Sequence, residues 1–586
     1  MTTRKKQSVW ITVAGLTLLV FLGGYLRLKH LEERSVTHVE MYVPGIRLPQ
    51  GISIPVERLG LLKVVTSTLN SDTHPPAYYV MTWAWVKCFG VSTESIRLPS
   101  ALLGIACIPL VFWLGVLTEQ TAAGWIAAAL LAVNGHHVFW SQIARMFTLA
   151  CFLGLLATIL LLMLATKDPA PRSLGYLYIL VVLVGLATHI FFWLVLGAHV
   201  VWTFLNAWSR RREMPGSLKL EISTLILGSP LLAFAAYQNG NTLATLSRSG
   251  LIYAREFLQF AFAFPLVGYS SGVNSATSRG ILVDDPHLSL WRWLFVALSL
   301  LLFAVGVGST CKVDANENLL SDSQGPSRRM WLLAGGLGTL AILAFIVTAR
   351  RFAHPPNPTL RATETMIVLP FLLVLIAVVL QKYWVTVTAW RISVLDSGLL
   401  AGKQALVLML AVLPLVMLAI ISADKPIFAA RGMLLLAPYV LLVLAWGIVR
   451  LSRNRFVALA LLLAIGFAHY KGLQEYDRMS AGRADYKQFA AVLAPNLQKT
   501  DLVFLHPEFY STPLFFYVQS GWNQFVGQNY EAACRENPHA RVWALWFYNY
   551  EDTIPPSIEK ALAGYLVVQT IDAPGGQALL YAPKEY

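Results

Sequence analysis

Apolar runs of membrane-crossing length recur along most of this 586-residue chain. A bilayer interior offers no water to unpaired backbone groups, so a run of about 17–25 such residues must close its own hydrogen bonds as a helix. Runs of this kind lie near 8–28, 97–117, 121–139, 147–166, 174–188, 190–208, 218–237, 289–309, 330–349, 366–382, 404–421, 432–449 and 455–470. That is about 13 transmembrane helices. Only 13% of the residues are charged and 56% are hydrophobic, too little polar surface for a soluble chain of this length. The expected fold is a polytopic α-helical membrane protein.

Charge placement orients it. The net charge is +14, and in membrane proteins basic excess gathers in cytoplasmic loops. Arg4, Lys5 and Lys6 precede the first run, which lacks a small-residue cleavage pattern and reads as an uncleaved span with a cytoplasmic N-terminus. The stretch 76–90 is apolar, but it is short, opens with prolines and carries Lys87. Read as a juxtamembrane helix, it leaves the basic loops at 167–172, 209–213, 327–329, 381–403 and 450–455 on the side of the N-terminus. A first outer loop then spans 29–96, and 238–288, 350–365 and 422–431 also face outward. The basic clusters sit between apolar runs and form no aromatic-interleaved groove, which excludes nucleic acid as a partner. A bacterial inner membrane is the expected location.

The chain changes character near residue 475. "DLVFL" (501–505), "RVWALWF" (541–547), "YLVVQTI" (565–571) and "ALLYA" (578–582) read as strands, with helical stretches at 485–494 and 512–519 between them. Residues 1–474 are thus expected to form a transmembrane domain, and 475–586 a small extracytoplasmic soluble α/β domain.

Candidate chemistry gathers in the first outer loop, in "THVEMYVPG" (37–45) and "SDTHPPAYY" (71–79). Glu40, Asp72 and His74 are titratable groups at the edge of an apolar stretch; Asp72 and His74 also suit a turn or helix cap before Pro75. Arg97, Arg145 and Arg431 stand at outer span ends, where a charge either snorkels or serves a site. Lys63, Arg350, Arg351, Arg361 and Lys425 are weaker cations on outer loops, and "HPPNP" (354–358) reads as a rigid loop. The five cysteines are widely spaced and read as small buried hydrophobes. His38, Glu40, Asp72 and His74 are ligand types without fixed short spacing, so neither a divalent metal nor another cofactor is expected.

These segments, with "ESIRLPSALLG" (94–104), "FWSQIARMFTL" (139–149) and "FAARGMLLLAPYV" (428–440), resemble the polyprenyl-phosphate-sugar transferases of the GT-C class. The likeness is to the protein-mannosyltransferase and aminoarabinose-transferase branch, glycosyltransferase family 39 and its bacterial relatives. It implies a membrane glycosyltransferase moving a hexose or pentose, with inversion, from a polyprenyl-phosphate donor to an acceptor hydroxyl at the outer face. That acceptor is a protein, a glycolipid or a polysaccharide. The family's first-loop acidic pair falls on "HVE": Glu40 matches the second acid and Val39 replaces the first. The resemblance therefore implies Glu40 or Asp72 as catalytic carboxylates. His74, at the family's basic-Pro-Pro position, is implied in donor-phosphate binding. Arg97 and Arg145, at its "R-L-P-S" and "S-x-x-x-R" positions, are implied in contact with the first-loop acids or with that phosphate, and Arg431, by its place at a span end, is a further candidate for the phosphate. Two other readings fit a polytopic chain, a transporter or lipid flippase and a catalytically inactive scaffold subunit. A flippase needs polar residues inside several spans, whereas the runs here read as largely clean.

Overall fold

The computed structural model describes residues 3–46, 60–71, 74–166, 171–209, 216–245, 297–308, 402–424, 430–481, 485–506, 511–518, 525–547, 554–573 and 576–584. Its helices, in chain order, are α1 (Thr3–Leu28), α2 (Leu61–Ser71), α3 (Ala77–Phe89), α4 (Thr93–Leu117), α5 (Thr121–Val133), α6 (Gly135–Ser141), α7 (Phe147–Thr166), α8 (Arg172–Leu186), α9 (Phe192–Ser209) and α10 (Gly216–Thr245). Then follow α11 (Ala297–Gly308), α12 (Lys403–Asp424), α13 (Ala437–Leu451) and α14 (Arg455–Ala481). Among the described residues three helices are long and apolar enough to cross a membrane, or four if α5 and α6 form one broken span. Six further apolar helices are shorter. The expected thirteen spans are thus not all represented: 330–349 and 366–382 lie outside the described residues.

The chain bends sharply within one expected span and turns between two others. α5 and α6 meet at a 58° bend, because Asn134 leaves the helical path and its side chain accepts from the backbone N–H of His137, capping α6. The expected spans 174–188 and 190–208 are α8 and α9, which meet at residues 187–191 around His189. α3 is a 13-residue helix; at 1.5 Å per residue it is too short to cross a bilayer of about 30 Å. It is anchored by Tyr78 and Tyr79, both buried in the helical core.

α4, α5, α7 and α13 lie at the centre of the helical packing. α4 and α5 approach backbone to backbone, since a Cβ on Gly115 would lie 2.4 Å from the Gly124 Cα. Small residues permit such contact where no water drives helices together. α1 instead exposes Trp10, Ile11, Leu18 and Phe21, an outward apolar face suited to lipid.

The helices are less clean than their sequences. The buried Arg27 donates to the carbonyls of Gly23, Leu131 and Ala132 and to Nδ1 of His137. Tyr178, His199, Thr158 and Tyr439 form a buried hydrogen-bonded chain, and Thr203 donates to Glu221. Such groups stay in an apolar interior only when paired with one another or with backbone.

Beyond α14 come α15 (Tyr486–Leu493), β1 (Leu502–His506), α16 (Ser511–Tyr517), β2 (Phe525–Val526), α17 (Tyr530–Glu536), β3 (Val542–Phe547), α18 (Pro556–Ala561), β4 (Tyr565–Ala573) and β5 (Gly576–Pro583). The sheet order is β2-β1-β3-β5-β4. β1 runs parallel to β2 and β3, and β5 runs antiparallel to β3 and β4. This unit touches the first loop directly. Tyr517 Oη accepts from Val36 N–H at 2.8 Å, and Ser35 Oγ donates to Asp485 while accepting from Lys487 N–H. Phe516 and Tyr517 pack on an apolar cluster of Val36, Met41, Val43, Ile46, Val86, Ile96 and Ala144.

Candidate active site

The first loop carries a short 3-10 helix, His38–Tyr42, and Glu40 is turned inward on it, fully buried. Its carboxylate meets Arg97 from the first turns of α4. Arg97 Nε donates to Oε1 at 2.7 Å and Nη2 to Oε2 at 2.8 Å. Such a bidentate fork is among the stronger pairings available to these side chains. The remaining lone pairs are also engaged. Ala144 N–H donates to Oε1 at 3.0 Å, while the backbone N–H and hydroxyl of Thr37 donate to Oε2. Burial alone would raise the Glu40 pKa. The Arg97 charge and hydrogen bonds, with the N–H groups of Ala144 and Thr37, outweigh it and hold the carboxyl below its ordinary value.

Arg97 is spent on the same frame. Its Nη1 donates to the carbonyls of Leu31 and Arg34, and its Nη2 also to that of Ser35. One guanidinium thus fixes the path of residues 31–40. Gln142 repeats the device, donating to the carbonyls of Leu26 and Lys29 and accepting from Arg34.

Ala144 lies in the bend between α6 and α7, so its bond to Glu40 places the next residue, Arg145, beside the loop. Arg145 Nη1 donates to Tyr79 Oη at 2.7 Å and to the Val39 carbonyl at 3.3 Å, and the guanidinium lies over the Tyr42 ring at 5.4 Å. Ser100 Oγ donates to the Arg145 carbonyl, tying this bend to α4. Position 39, where the resemblance expects an acid, thus lends Arg145 only its backbone oxygen.

His74 sits just before α3, whose Tyr79 holds Arg145. Its ring lies 6.3 Å from that of Phe147 and 5.2 Å from that of His189. Arg431 stands in a 3-10 turn, Ala430–Leu435. A Cβ on the adjacent Gly432 would lie 2.3 Å from the Phe191 ring, so this turn packs against the α8–α9 break. Glu40, Arg97, Arg145 and His74 therefore share one end of the helical bundle, with the backbone of the Arg431 turn at its border. Asp72, Arg350, Arg351, Arg361 and Lys425 lie outside the described residues, and Lys63 is exposed on α2.

Thr37, Ala144 and His189 join this end without having been assigned a role in the sequence, as does Tyr79. In sequence Tyr79 is one of many Tyr and Trp residues that could line a groove but are expected at any membrane interface, and Ala144 acts through its backbone. The one available signal for His189 was an imidazole placed at the break of an apolar run.

Among the described residues Cys107, His137 and Cys151 have ligand atoms within 4.8 Å of one another. Arg27 can only donate, so His137 Nδ1 accepts and Nε2 carries the ring proton toward Cys151 Sγ, 3.9 Å away. That tautomer offers no lone pair to a metal, and the trio fits a hydrogen-bonded chain instead. Glu40, with five donors on its two oxygens, likewise has no open site for a cation.

The chain has 12% identity to an oligosaccharyltransferase of Archaeoglobus fulgidus solved with Zn and sulfate, covering 97% of this chain and 73% of that one at a TM-score of 0.43. It has 13% identity to ArnT of Cupriavidus metallidurans, covering 98% of both chains at a TM-score of 0.39. The arabinofuranosyltransferase AftD from Mycobacteria is 14% identical, covering 100% of this chain and 40% of that one at a TM-score of 0.43. A comparison with curated proteins finds no match. Residues 73–234, which carry His74, Arg97, Arg145 and His189, match the dolichyl-phosphate-mannose-protein mannosyltransferase family, and over that segment it is this family that the chain resembles.

Proposed function

We propose that this chain is a membrane glycosyltransferase that moves a sugar from a polyprenyl-phosphate carrier to an acceptor hydroxyl at the outer face of the membrane, with inversion. The observation that carries this reading is the meeting of the first-loop acid, the two span-end arginines and His74 at one end of the helical bundle. Related structures include ArnT of Cupriavidus metallidurans bound to undecaprenyl phosphate and an archaeal oligosaccharyltransferase with dolichol phosphate and an inhibitory peptide. A lipid-phosphate donor for this chain is in keeping with both.

In the proposed step the acceptor oxygen attacks the anomeric carbon, the carbon–oxygen bond to phosphate breaks, and the hydroxyl proton passes to a carboxylate. Phosphate is a good leaving group, so the chain need only remove that proton and steady the departing anion. A positioned base contributes roughly 10²–10⁴ in rate. Fixed cations stabilise the leaving phosphate most where water is scarce. Glu40 and Asp72 are the two carboxylates assigned to this site. Glu40, held by five donors, is assigned the anchoring of Arg97 and of the bend before Arg145. Asp72, two residues ahead of His74, is assigned the base. His74, Arg145 and Arg431 are assigned the phosphate.

Turnover of a radiolabelled polyprenyl-phosphate sugar tests the reading. Asp72→Asn is expected to lower kcat by at least a hundredfold with folding intact; full turnover in this variant removes Asp72 as base. A second reading, a scaffold without chemistry, is favoured by the engaged Glu40 carboxylate and by Val39 at the first acid position. It predicts that the wild-type chain binds the carrier yet releases no polyprenyl phosphate from any donor.

A further inference from the structure

We propose that His189 joins His74 in a two-imidazole subsite for the phosphate of the lipid carrier, closed by the rings of Phe147 and Phe191. This deepens the reading above and rests on it. The start of α3 is docked on the end of α8, where Ala77 N–H donates to the Ala187 carbonyl at 2.8 Å. That bond brings two imidazoles from opposite sides of a long sequence gap face to face, with ring centres 5.2 Å apart and planes tilted by 30°. Phe147 stands 5.6 Å from His189 and 6.3 Å from His74, and Phe191 stands 5.1 Å from His189. His189 is buried and His74 is part-exposed, so the pair has a wet edge and a dry one.

The protonation of His189 follows from its neighbour. Phe191 N–H donates to Nδ1 at 3.1 Å, so Nε2 carries the ring proton and His189 is a hydrogen-bond donor even when neutral. Two imidazoles against two phenyl rings are a poor choice for simple packing, where apolar side chains cost less to bury. They suit a phosphate, whose several oxygens accept charge-assisted bonds from more than one donor. Aromatic walls exclude water and strengthen each such bond. Arg145, two residues before Phe147, and the Ala430–Leu435 turn packed on Phe191 border the same place.

Two substitutions separate binding from local structure. His189→Asn puts an amide oxygen near the Nδ1 position and keeps an acceptor for Phe191 N–H, but removes the Nε2 donor. His189→Gln reaches the Nε2 position with an amide N–H and gives up the turn bond. The measurement is the affinity of the full chain in detergent for undecaprenyl phosphate, with undecaprenol and inorganic phosphate as comparison ligands and thermal unfolding as a folding control. His189→Asn is expected to unfold at the wild-type temperature and to bind undecaprenyl phosphate roughly tenfold to a hundredfold more weakly. His189→Gln is expected to bind within a few-fold of wild type, and neither change should alter undecaprenol binding.

Wild-type affinity in His189→Asn, alongside weakened binding in His74→Ala, overturns the subsite and leaves the carrier reading standing. Equal losses in the Asn and Gln variants with a lowered unfolding temperature assign His189 to the turn and also overturn it. A wild-type chain that does not prefer undecaprenyl phosphate over undecaprenol overturns both the subsite and the carrier reading. Inorganic phosphate bound with the same His189 dependence, without lipid binding, retires the lipid carrier as the phosphate source.

Discussion

Glu40 and Arg97 illustrate how much depends on a single buried pair. Breaking such a pair by removing one partner leaves an uncompensated charge and costs about 3–5 kcal/mol. Glu40→Gln is expected to destabilise the chain by an amount of that order, seen as a lower unfolding temperature in detergent. The same pair sets an acid limit. The Glu40 carboxyl is held below its ordinary value of 4.5 in the folded chain. Its contribution is therefore complete above 4.5 and is lost as pH falls through the depressed value. Unfolding temperature measured against pH should fall on the acid side in wild type, and should do so less steeply in Glu40→Gln. An equal acid slope in both would mean that another carboxylate governs the loss. Both members of the pair stood out in the sequence as candidates, and the family match at Arg97 pointed to the first-loop acids or to the phosphate without choosing between them. The spacing of 57 residues carries no geometry, and two of the three donors that complete the site, beside the Thr37 hydroxyl, are the backbone N–H groups of Thr37 and Ala144. Backbone donors leave no mark on residue type.

Local elements were legible where their signals are local. The four stretches expected as strands are β1, β3, β4 and β5, because alternation and turn residues act over a few positions; the two-residue β2 was too short to leave a pattern. The helix break near His189 was visible as an interruption of an apolar run, while the buried polar chains through α1, α6 and α9 were not. Single histidines and threonines barely change the hydropathy of a span, yet their partners lie far away in sequence. Contacts between elements make sharper predictions. Tyr517 joins α16 to the first loop through the Val36 N–H, so Tyr517→Phe removes the acceptor and costs about 1–3 kcal/mol at a part-buried donor. Hydrogen exchange at the Val36 amide should quicken roughly tenfold or more. Unchanged exchange would show that the C-terminal unit does not brace the loop. Gly432→Ala drives a methyl group into Phe191. It should cost about 1–3 kcal/mol and weaken undecaprenyl phosphate binding with it, because the turn and the α8–α9 break move together.

Counting spans and basic loops predicts how the chain is arranged across a bilayer, and one cysteine offers a direct check. Cys88, near the end of α3, is exposed, whereas Cys107, Cys151 and Cys534 are buried. The charge pattern predicts that α3 lies in a first outer loop, with Lys87 beside Cys88 at the polar edge of the membrane. Cys311 falls in a stretch expected on the opposite, cytoplasmic side. A membrane-impermeant maleimide added to intact spheroplasts should therefore label the wild-type chain, and Cys88→Ser should abolish that labelling. Lysing the cells before labelling should restore a signal in Cys88→Ser through Cys311. The outcome bears on the chemistry as well as the topology. Glu40, Arg97 and Arg145 are joined to the loop that contains α3 through Tyr79 and the bend before α7. Whichever side Cys88 faces, the candidate site faces too. Labelling of Cys88 only after lysis would turn the acids and arginines toward the cytoplasm, and a sugar transfer at the outer face could not be their work.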